Sequence, residues 1–250
     1  MSIVREWYRR SPWLAAISLA HLALFAILAL LSITDPTQIM GVGRWIKPIK
    51  FCLSIALYLG ALAWFAPAIG TVASRRTPYA IAAGSMVVEI IAIVVQAARG
   101  VASHFNEGTW VDAQIFNLMG LAIGLNTIAL VWILRLAVRG WRAAPDGYRL
   151  GIALGVLLTL GSSAIGGLMI TSHAHTVGFA DGGPGLPFVN WSTQGGDLRI
   201  SHFVGLHALQ ALPLVGHLWG TRAVAVATIA WTALTVLALA LALGGRPLLG

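Results

Sequence analysis

The sequence predicts an all-α integral membrane protein, a bundle of about seven transmembrane helices that forms one polytopic domain over residues 1–250. Three observations carry this prediction: 58% of the residues are hydrophobic, only 10% are charged, and the mean hydropathy is +0.84. A soluble domain carries about 25% charged residues, so this chain has too few charges to cover a surface that faces water. We therefore expect lipid to be its solvent.

Seven runs of mostly apolar side chains reach the length of about 20 residues that a helix needs to cross a bilayer. The first follows the basic start MSIVREWYRR and is longer than the roughly 7–15 residues of a secretory h-region, which favours a retained helix over a cleaved signal. The third and sixth runs also contain polar side chains. In chain order the predicted spans are Pro12–Ile33, Phe51–Ile69, Tyr79–Ala98, Ala113–Leu136, Leu150–Ile170, Ile200–Trp219 and Ala223–Leu243.

Pairs of glycines spaced four residues apart lie inside several predicted spans. Small residues at this spacing let two helices approach closely in lipid, so we expect helix contacts at these positions. The chain shows no convincing internal repeat, which disfavours the inverted-repeat architecture of many secondary transporters. The glycine pairs are Gly120–Gly124, Gly151–Gly155 and Gly216–Gly220.

The distribution of basic residues predicts the orientation of the bundle. A net charge of +8 and a pI near 10.8 would suggest a nucleic-acid ligand in a soluble protein, but here the arginines flank apolar runs, so we expect no nucleic acid partner. With the amino terminus inside, ten arginines and lysines lie on the cytoplasmic side and six outside. The positive-inside rule then predicts a bacterial inner-membrane protein with a cytoplasmic amino terminus and a periplasmic carboxyl terminus, although the segment Arg44–Lys50 opposes the bias.

The longest predicted outer loop runs from Thr171 to about Arg199. Its glycines and prolines preclude a long helix, yet it contains five large apolar side chains, too many for a flexible linker. We predict that Gly178–Gly196 is an ordered extracytoplasmic lid packed on the outer mouth of the bundle. Long ordered loops are often functional.

Five of the seven histidines fall on the outer side or in the outer half of a span, in three separate segments. Imidazole is the commonest metal ligand in proteins, and the nearby Asp181 and Asp197 are candidate ligands or orienting partners for it. The candidate metal ligands are His104, His173, His175, His202 and His207.

The spacing of these histidines limits how they can share an ion. His202 and His207 are five residues apart, hence about 140° apart around a helix, and make a poor chelate alone. One of them would join His173 and His175 of the SHAH motif, while Gln210 shares a helix face with His207 and is a further cofactor-binding candidate. We predict that at least two of the four histidines share one ion or one haem. The alternative is that each bonds separately to backbone or water.

Glu89 is the only acid inside a central predicted span, and a carboxylate at such a depth suggests a function. We expect it to be protonated, or paired with Arg99 or a histidine. Gln96 lies on the same helix face about 10.5 Å further along, and Arg99 continues that face. Glu89, Gln96 and Arg99 are therefore predicted catalytic residues of a polar pocket that opens outward; a purely structural polar network is the alternative.

The lysines and the cysteine exclude several kinds of site. Lys47 and Lys50 are the only lysines, so the last span cannot carry the Schiff base of a retinal protein. Cys52 is the only cysteine, which excludes cysteine-based zinc or iron–sulfur sites within one chain. The two lysines are expected either to anchor the chain at the membrane interface or to bind an anionic headgroup or substrate.

Together these residues favour a metal- or haem-binding membrane protein with redox or hydrolytic chemistry at its outer face. The expected cofactor is a zinc, copper or iron ion or haem b, and the expected substrate is a lipid, a quinone or a small periplasmic molecule. Two alternatives remain open. One is a proton-coupled small-molecule transporter or membrane sensor with Glu89 as the titrating group, and the other is an accessory subunit of a membrane complex.

Overall fold

A computed structural model of the chain describes residues 3–139, 141 and 145–248. The chain divides into two compact units, Met1–Leu136 (unit 1) and Ala137–Gly250 (unit 2). Long helices make up almost all of the described residues, as the sequence predicts, and two short antiparallel strand pairs lie in the loops.

Unit 1 begins with a short helix and continues with four long ones. The strands β1 and β2 are joined at Met40 and Gly41, whose φ angles of 50° and 75° fit the tight turns that hairpins prefer. A single 3-10 turn, Ala66–Ala68, follows α3. In chain order the elements are α1 (Ile3–Arg10), α2 (Pro12–Thr34), β1 (Gln38–Ile39), β2 (Val42–Gly43), α3 (Ile46–Phe65), α4 (Val72–Ala98) and α5 (Trp110–Arg139).

Helix packing in unit 1 combines apolar contact with hydrogen bonds to carbonyl oxygens. Ser18 donates to the carbonyl of Ala56 at 2.7 Å, which joins α2 to α3. Tyr79 donates to the carbonyl of Leu62 at 3.1 Å, which joins α4 to α3. Polar side chains inside a membrane protein must be satisfied in this way, since lipid offers them no partner.

Unit 2 consists of two long helices and the loop between them. The strands β3 and β4 pair across the two ends of that loop. The elements are α6 (Gly147–Ser172), β3 (Thr176–Val177), β4 (Gly196–Asp197) and α7 (Leu198–Leu243).

The helix α7 is broken in its middle and folds back on itself. Its 46 residues would span about 69 Å if straight, more than twice the hydrocarbon core. Gly220 has φ 79° and ψ −171°, a conformation that breaks the helix and that glycine adopts without strain. Ser201 donates to the carbonyl of Thr235 at 2.8 Å, although these residues would be about 51 Å apart in a straight helix. The two halves therefore run antiparallel, and the break lies between the predicted sixth and seventh spans.

The close approach of α6 to α7 depends on glycine. A Cβ atom at Gly155 would lie 2.8 Å from the carbonyl oxygen of Ala208, and Gly151 and Gly216 are equally crowded by backbone of the facing helix. The expected close contacts are thus confirmed at Gly151, Gly155 and Gly216, whereas a Cβ at Gly220 would meet nothing within 4 Å in the described part of the chain. The pair Gly120–Gly124 is different, because a Cβ at either position would meet nothing within 4 Å in the described part of the chain.

Six helices among the described residues are long and apolar enough to cross a membrane. They are the helices α2 to α7, where α3 is extended by the 3-10 turn that follows it. This finding supports a multi-pass membrane protein.

The loop between α6 and α7 is held by its own hydrogen bonds. Leu186 and Trp191 are joined by a backbone bond of 2.8 Å inside a tight turn, and Arg199 donates to the carbonyl of Asn190 at 2.6 Å. Ser192 donates its backbone N–H to Asp197 at 2.8 Å. Coverage of the outer mouth by this loop stays a prediction.

Candidate functional site

Three side chains of unit 1 contact one another in a row: Lys47 contacts His104, and His104 contacts Glu89. They are called the Lys47–His104–Glu89 array. Lys47 lies in the first turn of α3, Glu89 in α4, and His104 in the loop after α4. The Nδ1 atom of His104 is 3.1 Å from Lys47 Nζ and 3.1 Å from Ser103 Oγ. The Nε2 atom of His104 is 3.4 Å from Glu89 Oε1.

The surroundings of Glu89 leave one of its oxygens unsatisfied. The residue is 2% exposed, and Oε2 has no hydrogen-bond partner among the residues that the structure describes. A buried polar atom without a partner costs free energy, and native structures contain few of them. A proton on Oε2 would neutralise the charge of this buried carboxylate.

The contacts of the array favour one tautomer of His104. Lys47 and Ser103 can both donate to Nδ1, so the neutral imidazole of His104 carries its proton on Nε2, the atom facing Glu89. If Nδ1 receives a proton from Lys47 while Nε2 releases one to Glu89, the charge of both end groups is neutralised. The array can therefore pass a proton along its length without changing its total charge.

Aromatic rings enclose the imidazole of His104. The ring centroids of Phe51, Phe105 and Phe116 lie 5.9, 6.2 and 6.5 Å from that of His104. The pairs are tilted or edge-on, and the three rings together are called the aromatic cage. They leave the side chain of His104 21% exposed.

Gln96 and Arg99 contact Asp112 of α5 rather than Glu89. Gln96 Nε2 donates to Asp112 Oδ1 at 2.9 Å, and Arg99 Nη1 lies 2.5 Å from the same oxygen. Thr109 donates to the other carboxylate oxygen at 2.6 Å. The expected pairing of Glu89 with a histidine is thus confirmed, whereas Arg99 has a different carboxylate as its partner. The catalytic roles assigned to Gln96 and Arg99 remain predictions.

The sequence alone did not identify three members of these networks. The sequence predicts Lys47 to be an anchor or an anion ligand, and it assigns no role to Asp112 or Ser103. The proximity of Ser103 to His104 in the chain could have suggested a hydrogen bond, but the contacts between α3, α4 and α5 depend on the fold.

In unit 2, His175 is oriented by a carboxylate. Its Nδ1 atom is 2.6 Å from Asp181 Oδ2, and Asp181 also accepts hydrogen bonds from the backbone of His175 and from Thr176. Burial alone would raise the pKa of Asp181, but the hydrogen bonds from His175 and Thr176 outweigh burial and hold that pKa below its usual range. Asp181 is therefore an ionised partner of His175, as the sequence suggested.

Three further histidines of unit 2 were candidate ligands. His202 Nδ1 is 2.6 Å from the carbonyl oxygen of Ser162, to which it donates. The ring of His207 packs on Phe203 with centroids 4.2 Å apart, and Oε1 of Gln210, the residue expected to share its helix face, has no hydrogen-bond partner among the described residues. His173 ends α6 in the left-handed conformation, with φ 47°.

Residues 3–139, 141 and 145–248 contain no group of three or more histidine, cysteine, aspartate or glutamate side chains that could hold a metal ion. A site made by only two of His173, His175, His202 and His207 is not tested by this finding and stays a prediction. Asp197, the remaining candidate ligand, instead pairs with Arg199 at 2.6 Å.

No protein-family model matches the chain, and no curated protein or solved structure is detectably similar to it.

Proposed function

We propose that this is a proton-coupled membrane transporter of a small molecule, in which the Lys47–His104–Glu89 array takes up and releases the coupling proton. One observation carries the proposal: Glu89 is 2% exposed, contacts His104 through Oε1, and leaves Oε2 without a hydrogen bond. Ionisable side chains inside membrane spans are costly and mark ion or proton pathways. A purely structural ion pair would be expected to satisfy both carboxylate oxygens.

The topology proposed with this function has seven crossings. The two antiparallel halves of α7 on either side of Gly220 are each long enough to cross separately, and the helices α2 to α6 supply the other five. The loop Gly178–Gly196 forms an ordered lid on the periplasmic side of a bacterial inner membrane. Slow amide exchange throughout this loop in the intact protein supports the lid, and rapid exchange contradicts it.

The proton site can be tested with two carbodiimides. Dicyclohexylcarbodiimide reacts with protonated carboxyl groups in apolar surroundings, whereas a water-soluble carbodiimide reaches only exposed ones. We expect mass spectrometry to find the apolar reagent on Glu89, with labelling that falls as the pH is raised, and the water-soluble reagent on the exposed Glu107. Glu89→Gln removes the first label and leaves the second. A folded protein whose Glu89 resists the apolar reagent at every pH would contradict the proposal.

Coupling to transport needs a second measurement. Proteoliposomes that contain a trapped pH-sensitive dye are exposed to a panel of small molecules, and internal acidification is recorded. The wild type should acidify with at least one compound, and Glu89→Gln should not acidify with that compound. Acidification that is unchanged in Glu89→Gln would place the coupling proton elsewhere.

A metal or haem site in unit 2 is the second candidate. It is supported by the pair His175–Asp181, because metal-ligating histidines commonly donate their other ring N–H to a carboxylate. His202 likewise donates Nδ1–H to a carbonyl, which makes Nε2 the nitrogen suited to ligation. Such a site would serve redox or hydrolytic chemistry on a lipid, a quinone or a small periplasmic molecule.

An absorption spectrum and a metal analysis of the purified protein test this second candidate. A Soret band indicates haem, and a stoichiometric metal without that band indicates a non-haem site. His175→Ala and His207→Ala should each lower the occupancy. If the wild type contains neither group, or if both variants keep full occupancy, the unit 2 histidines are structural.

A further inference from the structure

A groove of about 530 Å³ lies in unit 1, where α4 ends and α5 begins. Its walls come from the β1–β2 hairpin, the loop between α4 and α5, and the first turn of α5. The groove is open to its surroundings rather than an enclosed cavity. The lining residues include the polar Gln38, Asn106, Thr109 and Asp112 and the apolar Met40 and Phe105.

Phe105 belongs both to this groove and to the aromatic cage around the array. Its side chain lines the groove, and its ring lies edge-on to His104 with the centroids 6.2 Å apart. Phe116 contacts both rings but is not among the described residues that line the groove. Phe105 therefore contacts both the groove and the imidazole that contacts Glu89.

The backbone around the groove is held in an unfavourable conformation. Phe105 and Met40 have φ angles of 55° and 50°, a region that bulky residues rarely adopt. Asn106 holds the loop by donating to the carbonyl of Ala102 at 3.0 Å and accepting from the backbone of Gly108 at 3.2 Å. Strained conformations that are fixed in this way cluster at ligand sites and gates.

The charges at the groove restrict the ligand. Asp112 is the only charged side chain among the described lining residues, and it is 4% exposed and paired with Arg99. An anion or a cation in the groove would therefore find no unpaired countercharge among those residues. Amide, hydroxyl, thioether and phenyl groups remain, which suit an uncharged ligand with a hydrogen-bonding end and an apolar end.

We propose that the groove binds a small uncharged amphipathic molecule and that Phe105 gates its access to Glu89. This inference rests on the proposed function and adds the substrate class and the entry site to it. The ligand occupies the groove first, and displacement of the Phe105 ring then exposes the buried Glu89 to it.

The gate is tested by the accessibility of Glu89 to the water-soluble carbodiimide. Phe105→Ala should make Glu89 reactive towards this reagent while Glu107 reacts as in the wild type. Phe116→Ala is the matched control, because it removes an equal ring from the cage around His104 without opening the groove. No gain of reactivity in a folded Phe105→Ala protein, or an equal gain in both variants, would overturn the gate.

The ligand class is tested by protection of an engineered cysteine. Met40 is 52% exposed and the native Cys52 is fully buried, so Met40→Cys introduces a single accessible thiol into the groove. Hexanamide should slow the reaction of this thiol with a membrane-impermeant methanethiosulfonate severalfold, whereas hexanoate and hexylammonium at equal concentration should not. Trp110→Cys, an exposed position outside the lining, should be unaffected by all three. Equal protection by the three probes, or by none, would overturn the assignment.

The proposed function and the Phe105 gate are contradicted by different results. A wild-type Glu89 that resists dicyclohexylcarbodiimide contradicts the proposed function. The gate alone is contradicted if wild-type Glu89 reacts with dicyclohexylcarbodiimide but Glu89 of Phe105→Ala does not react with the water-soluble reagent.

Discussion

At the scale of single residues, the basic Lys47 and the acidic Glu89 lie on either side of the imidazole of His104 in unit 1. Loss of one member of a buried ion pair costs about 3–5 kcal/mol, because the other charge is left uncompensated. Lys47 is only partly buried, so the cost here should lie below that range. The charges of the array are thus coupled, and the coupling can be measured.

We expect Lys47→Met to lower the melting temperature of the detergent-solubilised protein, since Glu89 then loses its compensating cation. The double variant Lys47→Met/Glu89→Gln should recover part of the loss, because no uncompensated charge remains. Thermal unfolding of the wild type, both single variants and the double variant forms a complete cycle. Strictly additive effects would show that the two charges do not sense each other.

Glu6 gives a prediction about pH. Arg9 and Arg10 donate hydrogen bonds to its carboxylate, and these lower the pKa of Glu6 from 4.5 to about 2. A carboxyl with a lowered folded-state pKa contributes stability above its unfolded pKa and loses it as the pH falls towards the folded value. The stability difference between wild type and Glu6→Gln should therefore persist above about pH 5 and shrink between pH 4.5 and 2. Glu107→Gln serves as an exposed control, and a difference that does not change with pH would contradict the assignment.

The sequence could identify the unusual residues of the site but not their partners. Glu89 is conspicuous as an acid within an apolar span, and the cost of burying a charge predicted that it is protonated or paired with Arg99 or a histidine. The choice of His104 over Arg99 depends on how the loop after α4 folds. Arg99 forms an ion pair with Asp112 of α5 instead. The spacing of residues along α4 cannot predict a partner on another helix.

At the scale of helices, the close contact between α6 and α7 depends on glycine, whereas Gly124 of α5 makes no such contact. We therefore expect opposite effects from alanine at Gly155 and at Gly124. Gly155→Ala should destabilise the protein by about 1–3 kcal/mol, because the added Cβ lies 2.8 Å from a backbone oxygen that cannot easily move. Gly124→Ala should be neutral or stabilise by up to about 1 kcal/mol, because its Cβ meets open space and alanine favours helix. Thermal or denaturant unfolding in detergent measures both. Equal effects would show that α6 and α7 do not approach so closely.

The same comparison shows what a glycine pattern can predict. The spacing in α6 and α7 correctly indicated close packing, but the identical spacing in α5 did not. On α5 the buried side is formed by Phe116, Met119 and Ile133, whereas Gly120 and Gly124 lie away from it. Spacing alone cannot tell which helix face meets a neighbour, because lipid-facing and protein-facing positions are both apolar.

At the scale of the whole molecule, the predicted orientation in the membrane depends on the arginines at one end of unit 1. Arg10 packs on Trp64 near the end of α3 and donates to its carbonyl at 2.7 Å. Arg75 lies in the first turn of α4 and donates to the carbonyl of Ala66, just after α3, at 2.7 Å. The arginines before α2 and at the start of α4 thus share one end, which the positive-inside rule assigns to the cytoplasm.

We therefore expect a reporter inserted near Ala143–Ala144 to read as cytoplasmic and one fused after Gly250 to read as periplasmic; both sites lie outside the residues that the structure describes. The second readout also depends on α7, because the carboxyl terminus is periplasmic only if its two halves cross the bilayer separately at Gly220. Paired fusions to a fluorescent protein and to alkaline phosphatase give opposite signals on the two sides. If the Ala143–Ala144 insertion is cytoplasmic and the Gly250 fusion is also cytoplasmic, α7 contributes only one crossing. If both signals are reversed, the whole bundle is inverted and the groove beside Phe105 opens to the cytoplasm.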